Sequence, residues 1–392
     1  MMDPSMLLQV VCWACLGFVA YAYVGYPVLI WCLSGSLGRR RQSSMDGDTA
    51  ELPRLSVLIA AHNEAGIIAA RLENALALDY PKDRLEVVVA TDGCTDATAD
   101  VARAFADRGV RLLEYGERRG KTAVLNESIP RVTGDVVILS DANTVMAPDA
   151  ARCLARWFRD SRVGVVCGQL VLTDPVTGLN SDGLYWRYET FLKTCESLLG
   201  ALLGANGGIY AIRKSHFSPI PANTIVDDFV IPLLTRIRTG CEILYDSQAV
   251  AYEETPPALD AEFRRRARIG AGGFQSLGHL WRLLNPAQGW IAFTFLSHKV
   301  LRWACPFFLV GLLVTSGLLM EHHPYRSLFA SQLAFYALSG LLAFSPPGVR
   351  VLRPLRLTTM FTGMNLALLV GFWRWARGDL GGTWTPTARP FA

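Results

Sequence analysis

Asp141 and Asn143 stand two residues apart directly after an apolar run, and in an extended segment that spacing turns both side chains the same way. Two oxygen donors so placed suit a hard divalent cation, Mg2+ or Mn2+, of the kind that bridges a substrate diphosphate. Asx residues after a strand also form turns, so the pair alone leaves both roles open. Further along, Arg264, Arg265, Arg266 and Arg268 crowd together. Guanidinium forks match phosphate oxygens and would stabilise a leaving diphosphate; anionic lipid is the other partner such a run takes. Arg265 and Arg268 are read as the diphosphate ligands and Arg264 as the lipid contact. Polar residues close two other apolar runs: His62, Asn63 and Glu64 after one, Asp92 and Gly93 after another. No G-x-G-x-x-G follows the first run and no G-x-x-x-x-G-K-[ST] occurs, so phosphate must be neutralised by something other than a glycine-rich loop. The net charge of +4, from 38 basic and 34 acidic side chains, is too small to point to a nucleic-acid partner.

These residues need strands to carry them. Residues 55–61 (LSVLIAA) form the continuous apolar run of a parallel strand buried on both faces, and residues 86–90 repeat it. Further strands are predicted at 110–115 and 136–139, with helical periodicity between. Strand and helix in alternation predict an α/β sheet over residues 53–256. Such sheets bind ligands beyond the C-terminal ends of their strands, which is where the polar residues stand.

The ends of the chain differ from its middle. Apolar runs at 6–33, 303–320, 328–344 and 357–375 are close to the roughly 20 residues that cross a bilayer. Arg39, Arg40 and Arg41 follow the first run, whereas a secretory signal carries its basic residues in front. Residues 1–38 therefore read as an uncleaved anchor with the next domain cytoplasmic, at the inner (plasma) membrane. Arg350, Arg353 and Arg356 place their loop on the same side, and Arg374, Arg377 and Arg389 favour it for the tail, 377–392. One N-terminal and three C-terminal spans (303–376) put that tail outside, so either the last run is re-entrant or the first makes two short passes. Within the intervening segment, 257–302, residues 286–302 read as an amphipathic helix lying in the interface or as an ordinary buried helix. Nine scattered cysteines, an odd number, suggest a reducing compartment. Cys12 and Cys15 form a C-x-x-C inside an apolar helix and read as small apolar fillers.

Taken in order, PRLSVLIAAHNE (53–64), TDGCTD (91–96), RGKTAVLN (119–126), SDANT (140–144), GANGGIYAIRK (204–214), VDDF (226–229) and RRRARIGAGGFQ (264–275) resemble a family 2 glycosyltransferase of the membrane-bound type. Cellulose, chitin, hyaluronan and poly-N-acetylglucosamine synthases are its better-known relatives, and the resemblance covers about residues 53–280. It implies a GT-A fold and inverting transfer of a sugar from a nucleotide diphosphate sugar, usually UDP-linked, to a saccharide or lipid-linked acceptor. Carried over by position, Ala61, His62, Glu64 and Asp92 would hold the nucleoside, Lys121 would lie near the diphosphate, and Asp141 with Asn143 would stand for the D-x-D metal motif. Asn143 replaces the second Asp of that motif. Gly207 and Gly208 would form the acceptor-side loop, where absent side chains let a sugar approach the backbone.

Asp227 and Asp228 also follow from the chemistry: an acceptor hydroxyl must lose its proton as the glycosidic bond forms, which calls for a positioned carboxylate. Asp228 matches the family's base; for Asp227 the alternative is a cap on a helix beginning near Phe229. In the Q-x-x-R-W motif of the synthases, Arg265 stands for Gln, Arg268 for Arg and Ile269 for Trp, which removes an aromatic platform for an acceptor sugar. Two products compete, a growing polysaccharide and a singly glycosylated lipid, and a membrane transporter or scaffold that binds nucleotide sugars without turnover is the alternative of another class.

Overall fold

A computed structural model describes residues 4–39, 52–173, 183–254, 259–344 and 355–380. Arg40, Arg41, Arg350, Arg353 and Arg389, on which the charge argument for orientation partly rests, lie outside the described residues. The chain divides into two compact units, one mixed α/β (Ile30–Leu259 with Gly278–Thr294) and one helical (Met1–Leu29, Asp260–Leu277 and Phe295–Leu380).

The α/β unit is built on one eight-stranded sheet: β1 Leu55–Ala61, β2 Leu85–Asp92, β3 Val110–Tyr115, β4 Val136–Asp141, β5 Thr144–Met146, β6 Val163–Thr173, β7 Tyr210–Arg213 and β8 Glu242–Glu254. The spatial order is β3-β2-β1-β4-β7-β6-β8-β5. The first four strands in that order are parallel, as their apolar runs predict; β7 is antiparallel to both β4 and β6, so the sheet is mixed. Both β2 and β4 run two residues past their predicted ends, which makes Asp92 and Asp141 the last residues of strands rather than loop residues.

Helices cover both faces. Helix α3 (Ala65–Leu76) buries Ile68, Leu72 and Ala75, spaced as one face of a helix requires, and helix α6 (Ala150–Ala155) shares that face of the sheet. The other face carries α5 (Lys121–Ser128) and α8 (Asp227–Thr239), burying Val124, Leu125, Val230, Ile231 and Leu233. Helix α8 ends at Gly240, whose φ of 70° is the left-handed C-cap that glycine adopts without penalty.

In the helical unit, α1 (Pro4–Ala20) packs against α11 (Leu301–Leu318), with the Phe18 and Phe308 rings stacked at 3.9 Å. Cys12 and Cys15 are buried against Leu312 and Leu319, in the filler role their apolar setting predicts, and all nine thiols are unbonded. Helix α9 (Leu259–Leu280) meets α13 (Arg356–Ala376) where a side chain on Gly371 would lie 2.6 Å from the Ala271 nitrogen; only small residues permit that approach. Among the described residues two helices, Ser5–Leu37 and Trp290–Leu318, are long and apolar enough to cross a membrane. The first is a single helix with a π turn at Tyr21–Gly25, which removes the two-short-passes alternative. The second begins within 286–302, where Pro286–Gln288 is a separate turn and the chain is helical from Trp290 onward, burying Ile291, Phe295, Ser297 and His298 as the buried-helix reading of that stretch has it. The runs at 328–344 and 357–375 are helices α12 (Tyr325–Ala343) and α13.

Candidate active site

The C-terminal ends of β1, β2 and β4 and the N-terminal turns of α5 and α8 bring the acidic residues together. After β1 the chain turns through Asn63, whose φ of 53° is a left-handed conformation that Asn tolerates better than most residues. That turn is tied to the next strand's loop: Thr95 donates its backbone N–H to the Asn63 side chain at 2.8 Å, and the Asp96 carboxylate accepts from the amides of Ala65 and Thr98. Ala61 and His62 are buried here, with His62 Nδ1 2.6 Å from the Asp92 carbonyl oxygen; Glu64 donates its amide to Thr98 Oγ1 at 2.8 Å. The four residues assigned to the nucleoside thus lie at two adjacent strand ends, β1 and β2. The Asp92 carboxylate itself accepts from the backbone amides of Arg119 (2.6 Å) and Gly120 (2.8 Å), anchoring the start of α5.

That anchor places Lys121 at the first position of α5. Its ammonium donates to Asp141 Oδ1 at 2.6 Å and lies 3.6 Å from Asp227 Oδ2. Burial opposes a charge there, but the carboxylates of Asp141, Asp227 and Asp228 outweigh it and hold Lys121 protonated far above its ordinary range. Helix α8 begins at Asp227, with Val226 as N-cap and no side-chain cap, so Asp227 and Asp228 both belong to the first turn and the capping alternative for Asp227 is set aside. Negative charge in a first turn is favoured by the helix dipole. Burial first, and then the neighbouring Asp227 carboxylate, push Asp228 up to about 6, with Lys121 and Lys193 pulling the other way.

Pro232 stands four residues after Asp228 and has no N–H to give to its carbonyl. Ala205 uses the free oxygen instead, donating its amide at 2.9 Å, so a helix-interior proline joins the base to the glycine loop. Gly207 then passes between the carboxylates: a β-carbon there would sit 3.2 Å from Asp228 Oδ2 and 3.6 Å from Asp141 Oδ2. Gly208 is packed for a different reason, since a β-carbon would come within 2.8 Å of Thr144 Oγ1. Asn206, just before them, accepts from Lys193 and donates to the Gly168 carbonyl at 2.7 Å.

The oxygens present fit a divalent cation shared with a substrate, not a closed protein cage. Among the described residues no three His, Cys, Asp or Glu side chains form a metal cluster. Asp141 supplies a carboxylate already paired with a cationic group, Lys121. Asn143 directs its amide nitrogen to Glu253 Oε1 at 3.0 Å, which leaves its carbonyl oxygen as the donor a cation would use. Arg265 and Arg268 lie on α9 in the helical unit, where Glu262 accepts from both Arg265 (2.9 Å) and Arg266 (2.6 Å).

Several residues at the site carry no motif in the sequence. Tyr210 on β7 pairs with Leu139 on β4, so its side chain shares a face with Asp141, and among the described residues its buried hydroxyl makes no hydrogen bond. Burial and the carboxylates of Asp227, Asp228 and Asp141 keep that phenol neutral. Lys193 and Arg71 belong to no motif either, although an arginine on the apolar face of α3 is a visible irregularity in the helical pattern.

Residues 56–217 match the family described as glycosyl transferase family 2. Over 255 residues the chain is 26% identical to the poly-beta-1,6-N-acetyl-D-glucosamine synthase of Staphylococcus aureus strain MSSA476, covering 62% of this chain and 59% of that protein. The synthase of the same name from Staphylococcus epidermidis is 24% identical over 57% of this chain and 55% of its own length. The chain therefore spans less than two thirds of these relatives. Among solved structures, the mannosyltransferase PcManGT from Pyrobaculum calidifontis, in complex with GDP-Man and Mn2+, aligns with a TM-score of 0.69 at 22% identity, over 95% of this chain and 99% of that one, a likeness of fold. The mixed sheet, the acids at its strand ends and these similarities together identify residues 56–217 as a family 2 glycosyl transferase domain of the GT-A fold.

Proposed function

We propose that the protein transfers a sugar, with inversion, from a nucleotide diphosphate sugar to an acceptor hydroxyl at a membrane surface. One observation carries this reading: the Asp228 carboxylate, raised towards neutrality, faces Asp141 across the bare backbone of Gly207. A carboxylate of that basicity accepts the acceptor's proton near neutral pH. As it does so, the acceptor oxygen bonds to the anomeric carbon on the face opposite the diphosphate, and the bond from that carbon to the diphosphate oxygen breaks. Ala61, His62, Glu64 and Asp92 would line the nucleoside, and Lys121 would meet the diphosphate charge. Gly207 and Gly208 would pass the acceptor. Asp141 and Asn143 would hold Mg2+ or Mn2+, which when bound supplies Lewis-acid stabilisation of the departing diphosphate.

The similarity to poly-beta-1,6-N-acetyl-D-glucosamine synthases supports a growing polysaccharide as product, and a UDP-linked donor is what the family resemblance of the sequence motifs implies. The two long apolar helices support a membrane location, and the arginines that follow the first apolar run support a cytoplasmic side for the transferase domain. The test is turnover of a panel of UDP- and GDP-sugars by the purified protein, with Mn2+, with Mg2+ and with chelator. Metal-dependent release of the nucleotide from one of them is expected, and labelled product retained by a size filter separates polymer from single-sugar glycolipid. Nucleotide-sugar binding without turnover in every condition would replace the transferase reading with the transporter or scaffold.

A further inference from the structure

Helix α3 buries a guanidinium where its pattern asks for an aliphatic side chain. Arg71 is 2% exposed, beside Ile68, Leu72 and Ala75. Among the described residues it makes no ion pair within 4 Å, and its Nε has no hydrogen-bond partner. A buried charge without a carboxylate against it is costly, and replacing such a group with an apolar one is often neutral or stabilising. Burial lowers its pKa to about 10, with Asp141 opposing the fall. Packing does not explain why the chain keeps it.

Its two terminal nitrogens supply a reason. Nη1 donates to Asn74 Oδ1 at 3.0 Å, and Asn74 grips Met146 at both backbone groups, accepting from the nitrogen and donating to the oxygen at 2.9 Å each. Nη2 donates to Ser140 Oγ at 3.1 Å, and that hydroxyl donates to the Gly208 carbonyl at 2.8 Å. Ser140 and Met146 bracket the segment that carries Asp141 and Asn143, and Gly208 belongs to the glycine loop. One planar fork therefore ties both ends of the Asp141–Asn143 segment and the glycine loop to α3. A lysine has a single ammonium head and cannot span both arms.

We propose that Arg71 is a positioning residue of the transferase, holding residues 140–146 and the Gly208 carbonyl in register so that Asp141 and Asn143 stay fixed relative to Asp228. The proposal rests on the transferase reading. Lys121 can leave Asp141 for a donor's diphosphate, whereas Arg71, sealed beneath the sheet end, stays with the segment.

The test uses the full-length protein in membranes and compares wild type with Arg71→Lys, Arg71→Met and Ser140→Ala. The first readout is the ratio of labelled sugar transferred to acceptor over sugar released to water, which does not depend on how much protein is folded. A displacement of a fraction of an ångström should lower that ratio by about tenfold or more in Arg71→Lys and Ser140→Ala. The second readout needs no turnover: Mn2+ alone, followed by loss of its free-ion electron paramagnetic resonance signal, should bind several-fold more weakly to both Arg71 variants. A transfer ratio and a Mn2+ affinity equal to wild type in the Lys and Met variants would overturn the proposal, whatever their melting temperatures. Wild type that binds Mn2+ but turns over no donor would instead sink the transferase reading, and the Mn2+ comparison would still decide the role of Arg71.

Discussion

At the scale of single residues, the site is a contest between burial and charge. Asp228 is raised to about 6 because desolvation and Asp227 outweigh the two lysines. A base must be ionised to accept a proton, so turnover should rise with pH through about 6 and then level, which a pH–rate profile measures. Asp228→Asn should lower kcat by roughly 100- to 10,000-fold while nucleotide binding, read by calorimetry, changes little. The same variant carries a stability signature. With the folded pKa above the unfolded value of about 3.9, the native state binds the proton more tightly, so stability falls as pH rises between those values and the loss is complete above about 6. Asp228→Asn should therefore melt higher than wild type at pH 7.5 and lose that advantage near pH 4; equal melting curves at both pH values would contradict the assignment. Asn143 tests the cation in the same way. Asn143→Asp would set a second carboxylate against Glu253 in place of the present hydrogen bond. It should destabilise the metal-free protein by about 1–3 kcal/mol and be rescued by Mn2+, with thermal melts at both metal levels as the check.

At the scale of elements, two adjacent glycines and one proline assign roles to the segment before α8 and to α8 itself. Gly208→Ala must displace Thr144 Oγ1 or Leu170 Cδ1, at 2.8 and 3.1 Å, and should cost about 1–3 kcal/mol of stability. Gly207→Ala meets the Asp228 side chain (Oδ2 at 3.2 Å, Cβ at 3.6 Å) and Asp141 Oδ2 (3.6 Å) rather than packed backbone, so melting should hardly move while kcat falls roughly tenfold. If both variants lost stability alike, Gly207 would be a packing glycine and not the floor of an acceptor path. Pro232→Ala reverses the usual trade. Removing a helix-interior proline should stabilise α8 by up to about 3 kcal/mol, yet the new N–H competes with Ala205 for the Asp228 carbonyl. A higher melting temperature with reduced transfer is the expected pair of results from calorimetry and a turnover assay.

At the scale of the whole molecule, the helical unit is stitched by polar groups as well as by apolar packing. The π turns at Tyr21–Gly25 and Phe295–Val300 meet through a 2.9 Å hydrogen bond between the Tyr21 and Ser297 hydroxyls, and Tyr23 bonds Asn365 on α13. Side-chain hydrogen bonds of this kind are how helices associate where lipid offers no partner. With two helices long and apolar enough to cross a bilayer, the protein should remain in the membrane pellet after alkaline carbonate washing and leave it only with detergent. Release by carbonate would reduce those helices to buried soluble ones.

Much of the sheet and most of its acids were legible in the chain alone, because strands buried on both faces are marked by unbroken apolar runs and the polar residue that ends each run is unmistakable. Asp92 and Asp141 could be named from that punctuation, as could the parallel direction of the first strands, whereas the Asp227–Asp228 pair, in the first turn of α8, was named from the need for a base and from the family resemblance. The antiparallel insertion of β7 was not legible, since Tyr210–Arg213 has the length and composition of many short segments and gains its identity only by pairing with Leu139 and its neighbours. Nor could periodicity show that Lys193 and Tyr210 stand close enough to Asp228 to act on it electrostatically, or that Arg71 reaches Ser140 beside Asp141. A helical or strand repeat assigns a side chain to a face, but which faces meet depends on contacts between residues tens to hundreds of positions apart. Local pattern decided what each element is; three-dimensional packing decided which charges stand side by side, and with them the basicity of Asp228.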